Sequence, residues 1–186
     1  MELHQGRFYH IYNRGNNKQP IFYTAENYLF FLRKMRTHIL ARAHFLAYCL
    51  MPNHLHWLVH IRNGDTQDYS SINKEIGILL RSYAQAINKC LCRTGSLFQQ
   101  RTKAVEIDSK FYALTCFHYI HQNPVKANLV TQMGKWDFSS YPDYAGKRNG
   151  TIIDKKFTYL HLDITPESFV KGSKRAIDPT IIKKLY

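Results

Sequence analysis

The chain has no run of about eighteen apolar residues, the length a membrane-crossing helix needs, so no span is expected. Its first residues, MELHQGRFYHIYNRG, lack the basic-then-apolar order of a secretory leader, which makes the cytoplasm the expected compartment. Cysteine is scarce and scattered. Cys49, Cys90, Cys92 and Cys116 form no CxxC pair, and Cys90-Leu91-Cys92 is too close for a zinc knuckle, so a structural zinc site is not expected. Their apolar neighbours predict buried, reduced thiols. Acidic residues are also scarce, and internal repeats and low-complexity stretches are lacking.

That shortage of acid leaves 26 Lys and Arg against 13 Asp and Glu, a net charge of +13, and a pI near 9.7. Such an excess points to polyanionic partners, with nucleic acid first among them. Thirteen tyrosines and eleven phenylalanines add faces on which unpaired bases can stack, although most aromatics serve a core. At 186 residues, 45% of them hydrophobic, the chain has the material for one domain and a short appendage.

Residues 7–14 alternate and end at the turn Gly15-Asn16-Asn17, which predicts a strand. Thr24 caps a helix whose stripe (Tyr28, Leu29, Phe31, Leu32, Met35, Ile39) runs to about Arg42. Two strand-like runs, 44–51 and 54–61, flank Pro52-Asn53 as a tight hairpin, and Asn63-Gly64-Asp65 ends the second. From Ser71 to about Cys92 a second amphipathic helix follows, then a strand over 97–107. A third helix starts near Ser109 and is expected to break at Asn123-Pro124. The order β-α-β-β-α-β plus a helix predicts an α+β fold: a ferredoxin-like split antiparallel sheet with an added helix. Residues 1–145 make this domain. Trp136, Phe138, Tyr141 and Tyr144 read as an aromatic flap over its core, and 146–186 as a basic, partly irregular extension whose end, from Lys171, is a mobile arm.

Period two puts His54 and His56 on one strand face, a bidentate start for a divalent cation. The plain alternative is a pair of half-exposed sheet histidines. His60 shares the face but stands about 13 Å from His56. On the third helix Tyr119 and Asn123 lie one turn apart, while His118 and His121 point elsewhere. A tyrosine can act as a covalent nucleophile, and an amide oxygen can complete a ligand set for a hard metal. Taken alone, however, this tyrosine reads as packing and this Asn-Pro as a helix stop.

The stretches MPNHLHWLV and HYIHQNPVKANLV resemble the histidine–hydrophobe–histidine motif and the nucleophile helix of the HUH endonucleases, specifically the single-tyrosine transposases of small insertion sequences. YHIYNRGNN, LFQQRTKAV and WDFSSYPDY extend the resemblance over roughly residues 5–145, in the family's order. It implies that the added helix is catalytic, with Tyr119 as nucleophile and His54 and His56 as ligands of Mg²⁺ or Mn²⁺. It further implies hairpin and single-stranded DNA as partners, a 5′-phosphotyrosine intermediate, and a cytoplasmic, nucleoid-associated protein acting as monomer or homodimer. Insertion-sequence members carry Gln four residues after the tyrosine. Asn123 stands there in this chain, as in the REP-associated tyrosine transposases, the branch it is most similar to. Arg14 and Lys18 flank the turn where the family reads guide nucleotides. Arg101, Lys103 and Lys126 flank the catalytic helix, and Lys147, Arg148 and the basic tail are candidates for gripping a hairpin stem. Two other readings fit the same residues: a metal-dependent hydrolytic nuclease, and a non-catalytic hairpin-binding module for DNA or RNA.

Overall fold

The computed structural model describes residues 2–64 and 70–185, without the side chains of 70 and 71. Asp65, expected to close the turn after the hairpin, and the side chain of Ser71 lie outside that description. The elements are β1 (Phe8–Arg14), α1 (Ala25–His38), β2 (Ala43–Met51), β3 (His54–Ile61), α2 (Ser70–Cys90), β4 (Lys103–Ile107) and α3 (Lys110–Lys126). Four short helices follow: α4 (Tyr141–Tyr144), α5 (Lys155–Leu162), α6 (Pro166–Ser173) and α7 (Pro179–Lys183).

The four strands form one sheet in the order β2-β3-β1-β4, with every neighbouring pair antiparallel. This is the expected split β-α-β-β-α-β sheet, with β1 and β3 at its centre. On one face Trp57 of β3 meets Phe31 of α1 (ring centroids 6.1 Å), and Phe31 meets Tyr83 of α2 edge-on at 4.9 Å. The Tyr83 hydroxyl is buried there and donates to the Ile21 carbonyl at 2.7 Å. The amphipathic stripes of α1 and α2 thus converge on one aromatic core. Helix α3 contacts β2 and β3 and is backed by α5 and α6.

Several boundaries differ from the sequence expectation, each for a local reason. The expected strand over 97–107 is regular only from Lys103. Before that, Leu97 accepts from Asn16 N (2.9 Å) and Gln99 N donates to Arg14 O (2.8 Å), so the segment wraps the end of β1. α1 stops at His38, not near Arg42. Cys49 and Cys116 are buried as expected, but Cys90 and Cys92 are exposed, because the end of α2 runs past the core. α3 does not break at Pro124. The missing proline N–H deprives the Ile120 carbonyl of its usual partner, but Ala127 N still donates to the Asn123 carbonyl (2.9 Å), so the helix continues to Lys126.

The aromatic flap is present: Phe138 stacks on Tyr28 at 3.8 Å, and Tyr141 and Tyr144 are buried. The extension is more ordered than expected. Phe169 of α6 is fully buried against Phe117, Tyr141 and Tyr144. The segment expected as a mobile arm instead ends α6, forms α7 and buries Leu185. Its packing against α3 outweighs its charge, since Asp178 caps α7 and the cations lie on outward positions.

Arg148, a candidate for gripping a hairpin stem, makes most of its bonds within the fold. Its guanidinium donates to both Asp143 carboxylate oxygens (2.9 and 2.6 Å), to the Asp137 and Ser139 carbonyls (each 2.6 Å) and to the Tyr48 hydroxyl (3.0 Å). These contacts take up every N–H of the guanidinium but one on Nη1, so the side chain is held mainly within the fold. Asp143 is buried, so Asp143→Ala is expected to cost about 3 kcal/mol by leaving a charge unpaired. Phe31→Ala should cost about 3–5 kcal/mol by opening a cavity under Trp57. Urea unfolding checks both, and a loss below 1 kcal/mol (~1, within surface noise) contradicts the assignment.

Candidate functional site

Alternation along β3 divides its side chains between two environments. Leu55, Trp57, Val59 and Ile61 are buried towards the apolar core, while His54, His56, Leu58 and His60 take the opposite face. β1 runs beside β3 with Tyr12 opposite His56 and Arg14 opposite His54. Both strands thereby place imidazoles and phenols on the face that α3 covers.

His54 and His56 stand with ring centroids 5.0 Å apart, edge to face. Tyr119 of α3 lies 5.9 Å from the His56 ring, again edge to face, and 6.5 Å from His10. Lys126, two turns further along α3, places its Nζ 5.4 Å from the Tyr119 ring centroid. The predicted pair and the predicted tyrosine therefore meet. Asn123 is buried one turn from Tyr119, with its amide nitrogen held by that residue's carbonyl at 2.9 Å. Oδ1 is then the atom it would offer a cation. His118 and His121 face away as expected: His121 Nε2 lies 2.7 Å from Ser140 Oγ, and His118 stacks on Phe169. His60 belongs to another cluster, with Phe8, His44 and Phe157.

Second partners orient both histidines. His54 Nδ1 donates to the Asn53 amide oxygen at 2.6 Å, leaving Nε2 as the nitrogen with a lone pair. His56 Nδ1 lies 2.9 Å from His10 Nε2, and His10 Nδ1 donates to the Leu185 carbonyl at 2.7 Å. Burial holds the His10 pKa down at about 4, outweighing the favourable Leu185 bond. Burial, with Arg14 adding to it, does the same for His54, also to about 4. His56 is pushed well below its ordinary range by burial and then by the charges of its histidine neighbours. All three are neutral at physiological pH, the form in which imidazole binds metal. Among the described residues no three His, Cys, Asp or Glu side chains are grouped to hold a metal. A cation here would therefore rest on two imidazoles and oxygen donors such as the Asn123 amide, with water completing the shell.

Of the predicted cations, Arg14, Lys18, Arg101 and Lys103 are exposed near the end of the sheet that carries His54. Arg101 and Lys103 line a cleft of about 550 Å³ with Asn73, Gln100 and Thr102. Lys126 joins the tyrosine. Lys147 does not: it lines a separate pocket with Gln132, Tyr141 and Lys174. His10 and Tyr12 escaped the sequence reading. Their signal was the alternation of YHIYNR, but placing them beside His56 needs the β1–β3 register, which no local pattern supplies.

Models of known protein families give no match to this chain, and curated proteins give none. Among solved structures, a REP-associated tyrosine transposase bound to a REP hairpin shares the fold, with a TM-score of 0.59 at 19% identity. The likeness covers 81% of this chain and 90% of the other.

The depressed histidines make stability depend on pH. Between the ordinary value of 6.5 and about 4, the unfolded chain binds protons that folded His10 and His54 refuse. Stability is therefore full above pH 6.5 and falls as pH drops towards 4. Thermal melts across that range check this, and a Tm flat from pH 7 to 4.5 contradicts neutral burial.

Proposed function

We propose that the chain is a DNA strand transferase that binds hairpin DNA and cuts and rejoins a single strand through Tyr119. The observation that carries this reading is the placement of Tyr119 against His56, with the Lys126 ammonium beside its ring. The fold shared with a tyrosine transposase bound to a hairpin supports it.

In this reading His54 Nε2, His56 Nε2 and Asn123 Oδ1 would hold Mg²⁺ or Mn²⁺, which would supply Lewis-acid chemistry at the scissile phosphate. The Lys126 charge favours the phenolate of Tyr119, whose phenol otherwise has a pKa of about 10. Tyr119 Oη attacks phosphorus in line, and the bond from phosphorus to the 3′ oxygen breaks. The phenol gives up its proton and the departing 3′ oxygen takes one, leaving a 5′-phosphotyrosine and a free 3′-OH. Attack by another 3′-OH reverses these steps and joins two ends. Arg14, Lys18, Arg101 and Lys103 contact the backbone of the single strand. Lys147 and the outward cations of the extension contact the stem. Neutralising several phosphates makes binding fall steeply with salt.

The test uses labelled hairpin DNA with a single-stranded flank, Mg²⁺ and a denaturing gel. A covalent protein–DNA band is expected, lost in Tyr119→Phe and retained in Tyr12→Phe, although both tyrosines lie by His56. His54→Ala should reduce the band by at least about 100-fold, as loss of a coordinating group does in electrostatic catalysis. Cleavage without a band points to water as nucleophile, and binding indifferent to His54→Ala and to chelator, with no cleavage, points to a binding module. Either result overturns the proposal.

A further inference from the structure

The nitrogen that His56 offers is decided by a chain of contacts beginning at the far end of the sequence. A carbonyl oxygen only accepts, so the 2.7 Å contact between Leu185 O and His10 Nδ1 requires the proton on Nδ1. His10 is fully buried, and a second ring proton would put a charge in the interior beside further imidazoles. His10 therefore carries one proton, and its Nε2 accepts. At 2.9 Å from that acceptor, His56 Nδ1 is the donor, since two facing lone pairs would repel. The proton of His56 then sits on Nδ1, the reverse of the form that free histidine favours in water, and Nε2 keeps its lone pair.

We infer that the Leu185 carbonyl, acting through His10, is a positioning device that fixes the tautomer of His56 in which Nε2 is the ligand nitrogen. The inference deepens the metal reading given above and rests on it for its purpose, though not for its geometry. His54 obeys the same logic by a shorter route, with the Asn53 amide oxygen taking its Nδ1 proton at 2.6 Å. Both members of the pair thus present the same nitrogen, one set by its sequence neighbour and the other by a residue 175 positions from His10. The fold holds the remote acceptor in place. The Leu185 side chain is buried, its amide donates to the Ile182 carbonyl at 3.0 Å, and Lys184 Nζ donates to the Tyr112 hydroxyl at 2.9 Å at the start of α3. Such partners of a ligating histidine fix its orientation and raise its basicity.

The consequence is a coupling between the end of the chain and the ligand set. Losing the Leu185 carbonyl frees His10 to move its proton to Nε2, which then no longer accepts from His56 Nδ1. The His56 proton redistributes to Nε2, which blocks the nitrogen a cation needs.

The experiment reads the tautomers directly in metal-free protein. Long-range ¹H–¹⁵N spectra of the ¹⁵N-histidine-labelled full chain at neutral pH are expected to show His10 and His56 protonated on Nδ1 and bare on Nε2. In the chain ending at Lys184, and separately in His10→Phe, the His56 pattern should shift to an averaged or Nε2-protonated form. A full chain with His56 protonated on Nε2, or an unchanged His56 in both variants, overturns the inference. Mn²⁺ titration of the same samples should show affinity weakened by about 10–100-fold in both variants. If the full chain binds no Mn²⁺, the metal reading fails, while the spectra still judge the tautomer relay independently.

Discussion

The contact between His56 and His10, one imidazole on each central strand, is the constraint on which the functional face depends. Burial keeps both rings neutral, so one can donate to the other at 2.9 Å. Most of the architecture maintains that condition. The sheet register sets Tyr12 opposite His56 and keeps His10 within reach, α3 covers the face, and α5 and α6 back α3. β3 carries apolar core on one face, while on the other His54 and His56 each have Nδ1 held by a partner.

The extension becomes intelligible in these terms. Its positive charge suggested an arm, yet Phe169 completes the outer packing of α3, and Leu185 closes against β1 through a hydrogen bond to His10. Residues remote in sequence thereby steady the helix that carries Tyr119 and the strand that supports His56. Arg148 makes the same point for charge. Its guanidinium ties Asp143 to the carbonyls of the flap, where a surface contact with phosphate had been the simpler expectation.

Much of this was legible beforehand. Strict alternation in HLHWLVHI placed His54 and His56 on one face, and helical spacing placed Asn123 one turn from Tyr119. Stripes on α1 and α2 foretold the aromatic core, and their order foretold the sheet. Features that depend on register or on distant packing were not legible. His10 lies in a strand whose sequence does not say which residue of β3 it will face. The segment 97–102 has strand composition but gives its hydrogen bonds to the end of β1. Pro124 reads as a breaker, yet the helix runs through it and Ala127 N closes the next turn on the Asn123 carbonyl. Cys90 and Cys92 share only Leu91 as an apolar neighbour, beside Lys89 and Arg93, and the helix has left the core by then.

The central claim is that one face of β1 and β3, covered by α3, is built to present Nε2 of His54 and Nε2 of His56 to a cation beside Tyr119. Crystals of the full chain grown with Mn²⁺ test this most directly, through the anomalous signal of the metal. The account predicts a peak bonded to both Nε2 atoms, with Tyr119 next to it. A peak bonded elsewhere, or none at saturating Mn²⁺, would contradict it.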